Sequence, residues 1–367
     1  MRRAVARQYH LQILRRAFNR AVQLAVLGSV VGALPLPAAG AAGTSPAVSA
    51  WLPYWTASSS TDAVVRNSDV VSTASPFWYE AGTSSLVSYP GAGSSLQLSR
   101  LRGAGIRVIP TMTSRLSPSA MASLGSNTSA RKRHVRMLLD LAARHRYAGL
   151  DLDYEHMALT TSESQARRTR AGFTALVRSV CAGLHAAARR CIVTVMPRTS
   201  DEFTVWRSKL MPAVYDYAAL ARSADRVRVM AYDQHAPNTG PGPIAGIRWV
   251  ERIVRYAVTR APLAKLDLGI PLYGRDWGGD SVRSLTYREA SSLRYRTGAR
   301  RLWDTASASP YFRYRSGGRL HEVWYSDAAA SGARYALAKR YGLRGTAFWA
   351  PGSEAPRTWD RLRALRR

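Results

Sequence analysis

Gly149-Leu150-Asp151-Leu152-Asp153-Tyr154-Glu155 alternates acids with small, aliphatic or aromatic residues. On a β-strand, alternate side chains share a face, so this spacing predicts that Asp151, Asp153 and Glu155 point one way. Leu150, Leu152 and Tyr154 would then face covering helices, as expected of a parallel strand buried on both sides. Three carboxylates turned inward cost free energy unless a site uses them. Glu155 would stand last on the strand, nearest its C-terminal end.

Working outward from this strand, seven other stretches read as strands: 47–55, 70–79, 106–112, 191–197, 227–233, 266–273 and 345–350. Pro76 is expected to close the second, with Phe77, Trp78 and Tyr79 beyond it. Helical periodicity falls between and after the strands, at 61–67, 96–104, 129–146, 162–189, 215–221, 246–259, 326–341 and 357–366. Regular alternation of this kind predicts an α/β fold, a (β/α)₈ TIM barrel. Residues 274–326 are too long for a βα loop and carry strand-like runs of their own at 311–314 and 321–325. They read as a small α+β insertion after strand seven, at the C-terminal mouth where barrel loops carry function.

Composition sets further bounds. The chain has 367 residues, 46% of them apolar, enough for one large α/β domain. The first 43 residues hold six arginines and no acid, then an apolar run from about residue 21 to 36 and a small-residue stretch at 38–43. This is the order of an export signal, with Arg15-Arg16-Ala17-Phe18 a weak twin-arginine look-alike. Gly28, Gly32, Pro35 and Pro37 argue against a stable membrane span. Residues 44–367 would then form a secreted or wall-associated catalytic domain. Removal of residues 1–43 lowers the formal net charge from +30 to +24. Such a charge suits an anionic cell-wall polymer. No basic stretch is interleaved with aromatics, so nucleic acid is not an expected partner. Gly240-Pro241-Gly242-Pro243 does not fit a dinucleotide fingerprint, and no His-Glu-x-x-His occurs, so neither a cofactor nor a metal is expected. Cys181 and Cys191, in an exported chain, are expected to form a disulfide between a helix and the next strand.

With these residues in view, 149–155 resembles the Asp-x-x-Asp-x-Asp-x-Glu strand-four motif of glycoside hydrolase family 18, the chitinase-like barrels. Ala148 stands where that pattern has its first acid. Met230-Ala231-Tyr232-Asp233 resembles the family's strand-six Met-x-Tyr-Asp, and Phe348-Trp349 its strand-eight tryptophan. Residues 268–277, Pro310-Tyr311-Phe312 and His321-Glu322-Val323-Trp324-Tyr325 are similar to the bacterial branch that contains spore-cortex N-acetylglucosaminidases.

The resemblance implies a retaining glycosidase for β-1,4-linked N-acetylglucosamine glycans, peptidoglycan or chitin, in which the substrate's own acetamido group attacks the anomeric carbon. Glu155 would be the general acid, its pKa raised by burial and by Asp153. Asp153 would orient the acetamido group, and Asp151 would share a proton with Asp153. Tyr232 and Asp233 would hold the acetamido group from the opposite wall, and Trp349 would stack under the sugar. Tyr54 and Trp78 follow strand ends, Tyr273 and Trp277 sit at the start of the insertion, and all four are candidates for lining the substrate cleft. A chitinase-like protein that binds without hydrolysis is the alternative, as is an endo-acting glycosidase on N-glycans.

Overall fold

The computed structural model describes residues 45–160, 162–202, 211–279 and 282–367. The expected export segment lies outside the described residues. The strands are β1 (Ala47–Pro53), β2 (Val71–Ala81), β3 (Leu86–Ser88), β4 (Arg107–Val108), β5 (Thr111–Thr113), β6 (Gly149–Asp153), β7 (Arg190–Val195), β8 (Arg226–Val229), β9 (Leu266–Pro271), β10 (Tyr273–Trp277), β11 (Arg283–Thr286), β12 (Leu302–Asp304), β13 (Ser309–Ser316), β14 (Arg319–Tyr325) and β15 (Gly345–Trp349). The helices are α1 (Ala57–Arg66), α2 (Ser95–Gly103), α3 (Pro118–Ser126), α4 (Thr128–Arg144), α5 (Glu163–Ala186), α6 (Tyr217–Ser223), α7 (Ile247–Arg260), α8 (Tyr287–Arg296), α9 (Ala328–Arg340) and α10 (Thr358–Arg366).

Strands β1, β2, β5, β6, β7, β8, β9 and β15 pair in parallel in that order, and β15 returns to β1. The result is a closed (β/α)₈ barrel with its helices outside. Closure leaves no free edge among these strands, and their shared direction puts every strand's C-terminal end at one mouth. A second, five-stranded antiparallel sheet, in the order β11-β10-β14-β13-β12, stands between β9 and α9. With α8 it has its own small core of Leu285, Ala290, Leu293, Phe312, Val323 and Tyr325.

Two local expectations need correction. Pro76 does not close the second strand, because β2 runs through it to Ala81. The third strand comes as two pieces, β4 paired at Ala74↔Val108 and β5 paired from Phe77↔Thr111. Pro76 and Pro110 both lie in the gap between those pairings, where a missing backbone N–H interrupts no ladder bond to the neighbour. Helix α3 was not expected. Ser117 caps it by accepting from Ala120 N, and Pro118 occupies its first turn. It seats on α5 at Gly125 and Gly172, where a Cβ on either glycine would collide with the other helix's backbone. That fit is tertiary, and a short segment with a weak apolar stripe does not announce it.

The expected pairing of Cys181 on α5 with Cys191 on β7 is present as a disulfide. Among the described residues, no helix is long and apolar enough to cross a membrane.

Candidate active site

The barrel bore is where the acids of β6 meet their partners. Leu150 and Leu152 face the helices and are buried, as alternation requires. Asp151 points inward and both of its oxygens are engaged. Oδ1 accepts from Thr194 Oγ1 at 2.8 Å, and Oδ2 accepts from Arg228 Nη1 at 2.8 Å, Trp51 Nε1 at 3.0 Å and Thr111 Oγ1 at 3.4 Å. Arg228 is itself held from below, since its Nε lies 3.4 Å from Asp267 Oδ2. It also donates to Ser75 Oγ at 2.7 Å, and its guanidinium lies 5.5 Å from the centre of the Trp51 ring. Asp267 takes a second ion pair from Arg226 at 2.7 Å. A chain of alternating charge therefore fills the bore, and every charge in it is met.

Asp153, one layer nearer the mouth, is 2% exposed, and its Oδ1 has no hydrogen-bond partner among the described residues. Burial first, and then the charges of Glu155 and Asp151, push its carboxyl well above the usual carboxylate range. Arg228 and three neutral donors occupy the Asp151 oxygens.

Glu155 departs from the strand reading. β6 ends at Asp153, and Glu155 has helical backbone angles, φ −96° and ψ −38°. It is exposed, so the burial expected at Glu155 falls on Asp153 instead. Its place is nevertheless tightly set. The Tyr215 hydroxyl donates to the Tyr154 carbonyl at 2.9 Å, immediately before Glu155. The Tyr154 hydroxyl meets His134 Nε2 at 2.8 Å, and His134 Nδ1 lies 3.1 Å from the Thr83 carbonyl. Since that carbonyl can only accept, Nδ1 carries the proton and Nε2 accepts from Tyr154. Burial holds the His134 pKa below its usual value, which favours this neutral form. Burial, Glu155 and then Asp153 hold the Tyr215 phenol well above its ordinary value, so a phenol faces the two acids.

The opposite wall comes from the loop after β8. Burial, followed by Asp153, Tyr273, Glu155 and Asp233, raises the Tyr232 phenol well above its ordinary value. The Tyr232 ring packs edge-on against Trp51, which bonds Asp151, and against Tyr273, each at 6.4 Å. Asp233 sits in the left-handed region at φ +60°. It accepts from the Tyr273 hydroxyl and pairs with Arg275 Nη1 at 2.7 Å. Arg275 also donates to the His235 carbonyl at 2.8 Å. Tyr232, Asp233 and Tyr273 are thus brought together, through contacts between the β8 loop and β10.

Aromatic rings cross the mouth in sequence. Trp51 meets Tyr232 edge-on at 6.4 Å and Trp349 at 6.5 Å. Trp349 also meets Phe77 at 4.9 Å and Trp55 at 6.1 Å. Trp55 meets Tyr54 at 4.9 Å, and Tyr54 stacks on Tyr89 at 4.6 Å. Trp55 is 61% exposed, a large apolar face left at the rim. Two expected cleft residues are placed elsewhere. Trp78 is 1% exposed and packs behind β2 against Tyr147 and Tyr79, while its neighbour Phe77 takes the inward face. Trp277 is buried with Ile244 and Trp324, a cluster against which Tyr232 and Tyr273 pack. It therefore backs the site wall.

The family model for Glycosyl hydrolases family 18 matches residues 105–354. The chain belongs to this family. A relative, the uncharacterized glycosylase YvbX of Bacillus subtilis, is 28% identical over 248 residues, covering 65% of this chain and 67% of that protein. The cortical fragment-lytic enzyme of B. subtilis is 25% identical over 241 residues, covering 64% of this chain and 53% of that protein. The chain thus spans about half the length of that second relative. Among solved family 18 structures, the chitinase of Chromobacterium violaceum matches with a TM-score of 0.78 at 26% identity, covering 88% of this chain and 99% of that one. The closed barrel is the fold that the resemblance implied.

Several residues of this family 18 site escaped the sequence reading: Trp51, Arg228, Asp267, Tyr215, His134 and Arg275. Arg228 and Asp267 left a detectable signal, since each interrupts a run of apolar residues in a strand that a barrel buries.

Proposed function

We propose that this chain hydrolyses β-1,4-linked N-acetylglucosamine glycans with retention of configuration, using the substrate's acetamido group as the nucleophile. The observation that carries the reading is Asp153. It is buried, its carboxyl is raised by burial and then by the charge of Glu155, and one of its oxygens has no hydrogen-bond partner among the described residues. A buried oxygen without a donor is costly unless an incoming N–H completes it. An acetamido N–H is such a group.

In this reading the Glu155 carboxyl gives its proton to the glycosidic oxygen as the bond to the anomeric carbon breaks. The acetamido oxygen forms the new bond to that carbon, giving an oxazolinium ion on the sugar. Asp153 accepts the acetamido N–H at its unpartnered oxygen. Asp151, held by Arg228, keeps a fixed negative charge beneath it. Glu155 then takes a proton from the water that opens the ring. Tyr232 faces the same acids from the opposite wall, Asp233 and Tyr273 set the loop that carries it, and Trp349 offers a ring to the apolar face of the sugar.

The similarity to cortical fragment-lytic enzymes supports peptidoglycan as the first substrate to test, and the similarity to a chitinase supports chitin as the second. The test is release of reducing ends from purified peptidoglycan, chitin oligomers and a glycoprotein. Release from either of the first two, abolished in Glu155→Gln with binding retained, is the expected outcome. Binding without release from any of the three would refute hydrolysis.

A further inference from the structure

The mouth accounts for the acids of the bore but not for the opposite end of the barrel. Strand β4 begins at Arg107, β7 at Arg190 and β8 at Arg226. Lys265 immediately precedes β9, and Arg344 immediately precedes β15. Because the barrel strands run parallel, these five cations gather at the base, opposite the catalytic mouth. Register joins four of them on consecutive strands, through Ile192↔Arg226, Val227↔Leu266 and Asp267↔Gly345. The Arg344 guanidinium is pulled below its ordinary pKa first by Arg226, with Arg107 and Arg190 adding to the effect, so these side chains share one field. Asp225 and Asp267 are the acids set among them, and both are already ion-paired, Asp225 to Arg190 and Asp267 to Arg226.

A surface cavity of about 420 Å³ opens beside this ring, between the C-terminal parts of α5 and α6 and the turn before β9. Arg178, His185, Arg222 and Lys265 line it. Arg178 and Arg222 are exposed and make no ion pair among the described residues. Lys265 is anchored to the Ala221 carbonyl at 2.6 Å. Asp225 ties the walls together by pairing with His185 at 2.9 Å and accepting from Cys191 N at 2.8 Å. The Cys181–Cys191 disulfide fixes α5 to β7 in the same place. The cavity is therefore stapled, and the charges left without an ion pair in its lining, among the described residues, are the guanidinium groups of Arg178 and Arg222 and the Lys265 ammonium.

We propose that the base of the barrel is a second binding surface, for a flexible polymer of phosphodiester-linked units, held while the mouth works on a glycan. Arginine forks match phosphate oxygens two at a time. Of the large apolar side chains left exposed among the described residues, Leu263 alone lies at this end, so no apolar face is offered to a lipid surface. The cationic positions circle a closed barrel end rather than following a groove, and no exposed aromatic stands among them to stack bases.

The experiment measures binding without turnover, so its outcome is independent of which glycan the mouth cuts. Purified protein is titrated with poly(glycerol phosphate), and in parallel with duplex DNA, phosphatidylglycerol vesicles and polyglutamate. Two base variants are compared, Arg107→Gln/Arg190→Gln/Arg344→Gln and Arg178→Gln/Arg222→Gln. A control variant, Arg288→Gln/Arg296→Gln/Arg300→Gln, removes the same charge from the insertion as the triple base variant does from the base. Saturable binding to poly(glycerol phosphate), weakened about tenfold or more by each base variant and much less by the control, is expected. Turnover of a short soluble substrate should stay unchanged in all three. Equal losses in base and control variants would overturn the proposal in favour of total charge. Tighter binding to DNA, vesicles or polyglutamate than to poly(glycerol phosphate) would overturn the assigned partner.

Discussion

The middle and the mouth of the same bore treat buried charge in opposite ways. In the middle, Asp151, Arg228, Asp267 and Arg226 form an unbroken run of ion pairs, and Thr194, Thr111, Trp51 and Ser75 meet further lone pairs and protons. One layer higher, Asp153 keeps a bare oxygen and Glu155 stands open to solvent. Both layers belong to one short stretch of chain. The difference teaches that satisfied charge serves to set the geometry, whereas unmet polarity is kept where a ligand is to complete it.

The sharpest way to break this contrast is at the mouth. Glu155→Gln should lower kcat by about 10²–10⁴-fold, the usual worth of a positioned general acid, with little change in melting temperature. An unchanged kcat would remove Glu155 from its role. In the middle the order reverses. Arg228→Met leaves Asp151 and Asp267 buried without their partner and should cost about 3–5 kcal/mol in denaturant unfolding. A cost near zero would mean that the ionic column is not structural. Cys181→Ser with Cys191→Ser should cost about 2–4 kcal/mol, toward the lower figure because the closed loop is short. Chemical denaturation with and without reductant measures it, and a loss in glycan turnover larger than the stability loss explains would show that the base is coupled to the mouth.

Asp153 sharpens the comparison through pH. Its folded pKa is raised, so the folded chain holds a proton there that the unfolded chain has already lost. The stability this group contributes at low pH therefore falls as pH rises from the ordinary aspartate range through its raised folded value. Asp153→Asn should be more stable than the parent at neutral pH, with the gap closing as pH falls below that window. A gap independent of pH would show that Asp153 is not held protonated by its site. The smallest effect is expected at the rim. Trp55→Ala should raise KM for long glycans by an amount equivalent to about 1 kcal/mol, with kcat little changed, because Trp55 offers only one exposed ring face.

Much of this was legible before any coordinates. Eight apolar runs alternating with helical stripes specify a closed parallel barrel, because buried strands and half-buried helices impose different periods on the chain. The acids of 149–155 pointed to a candidate site, because inward carboxylates such as Asp151 and Asp153 need a reason. The spacing of Cys181 and Cys191 predicted their bond. Other features depended on residues distant in sequence. Alternation places Glu155 on the strand face, but the chain leaves the strand after Asp153, and Tyr215 and His134 hold the turn that follows. The sequence reading puts Trp78 in the cleft, but the register of β2 turns Phe77 inward and Trp78 into the core. Asp151 and Asp153 are the same residue on the same face, and their different chemistry comes from Arg228, which reaches one and not the other. Local pattern is governed by backbone period and side-chain polarity, which a sequence carries in order. Charge environment depends on which strands become neighbours when the barrel closes, and only the folded chain supplies that.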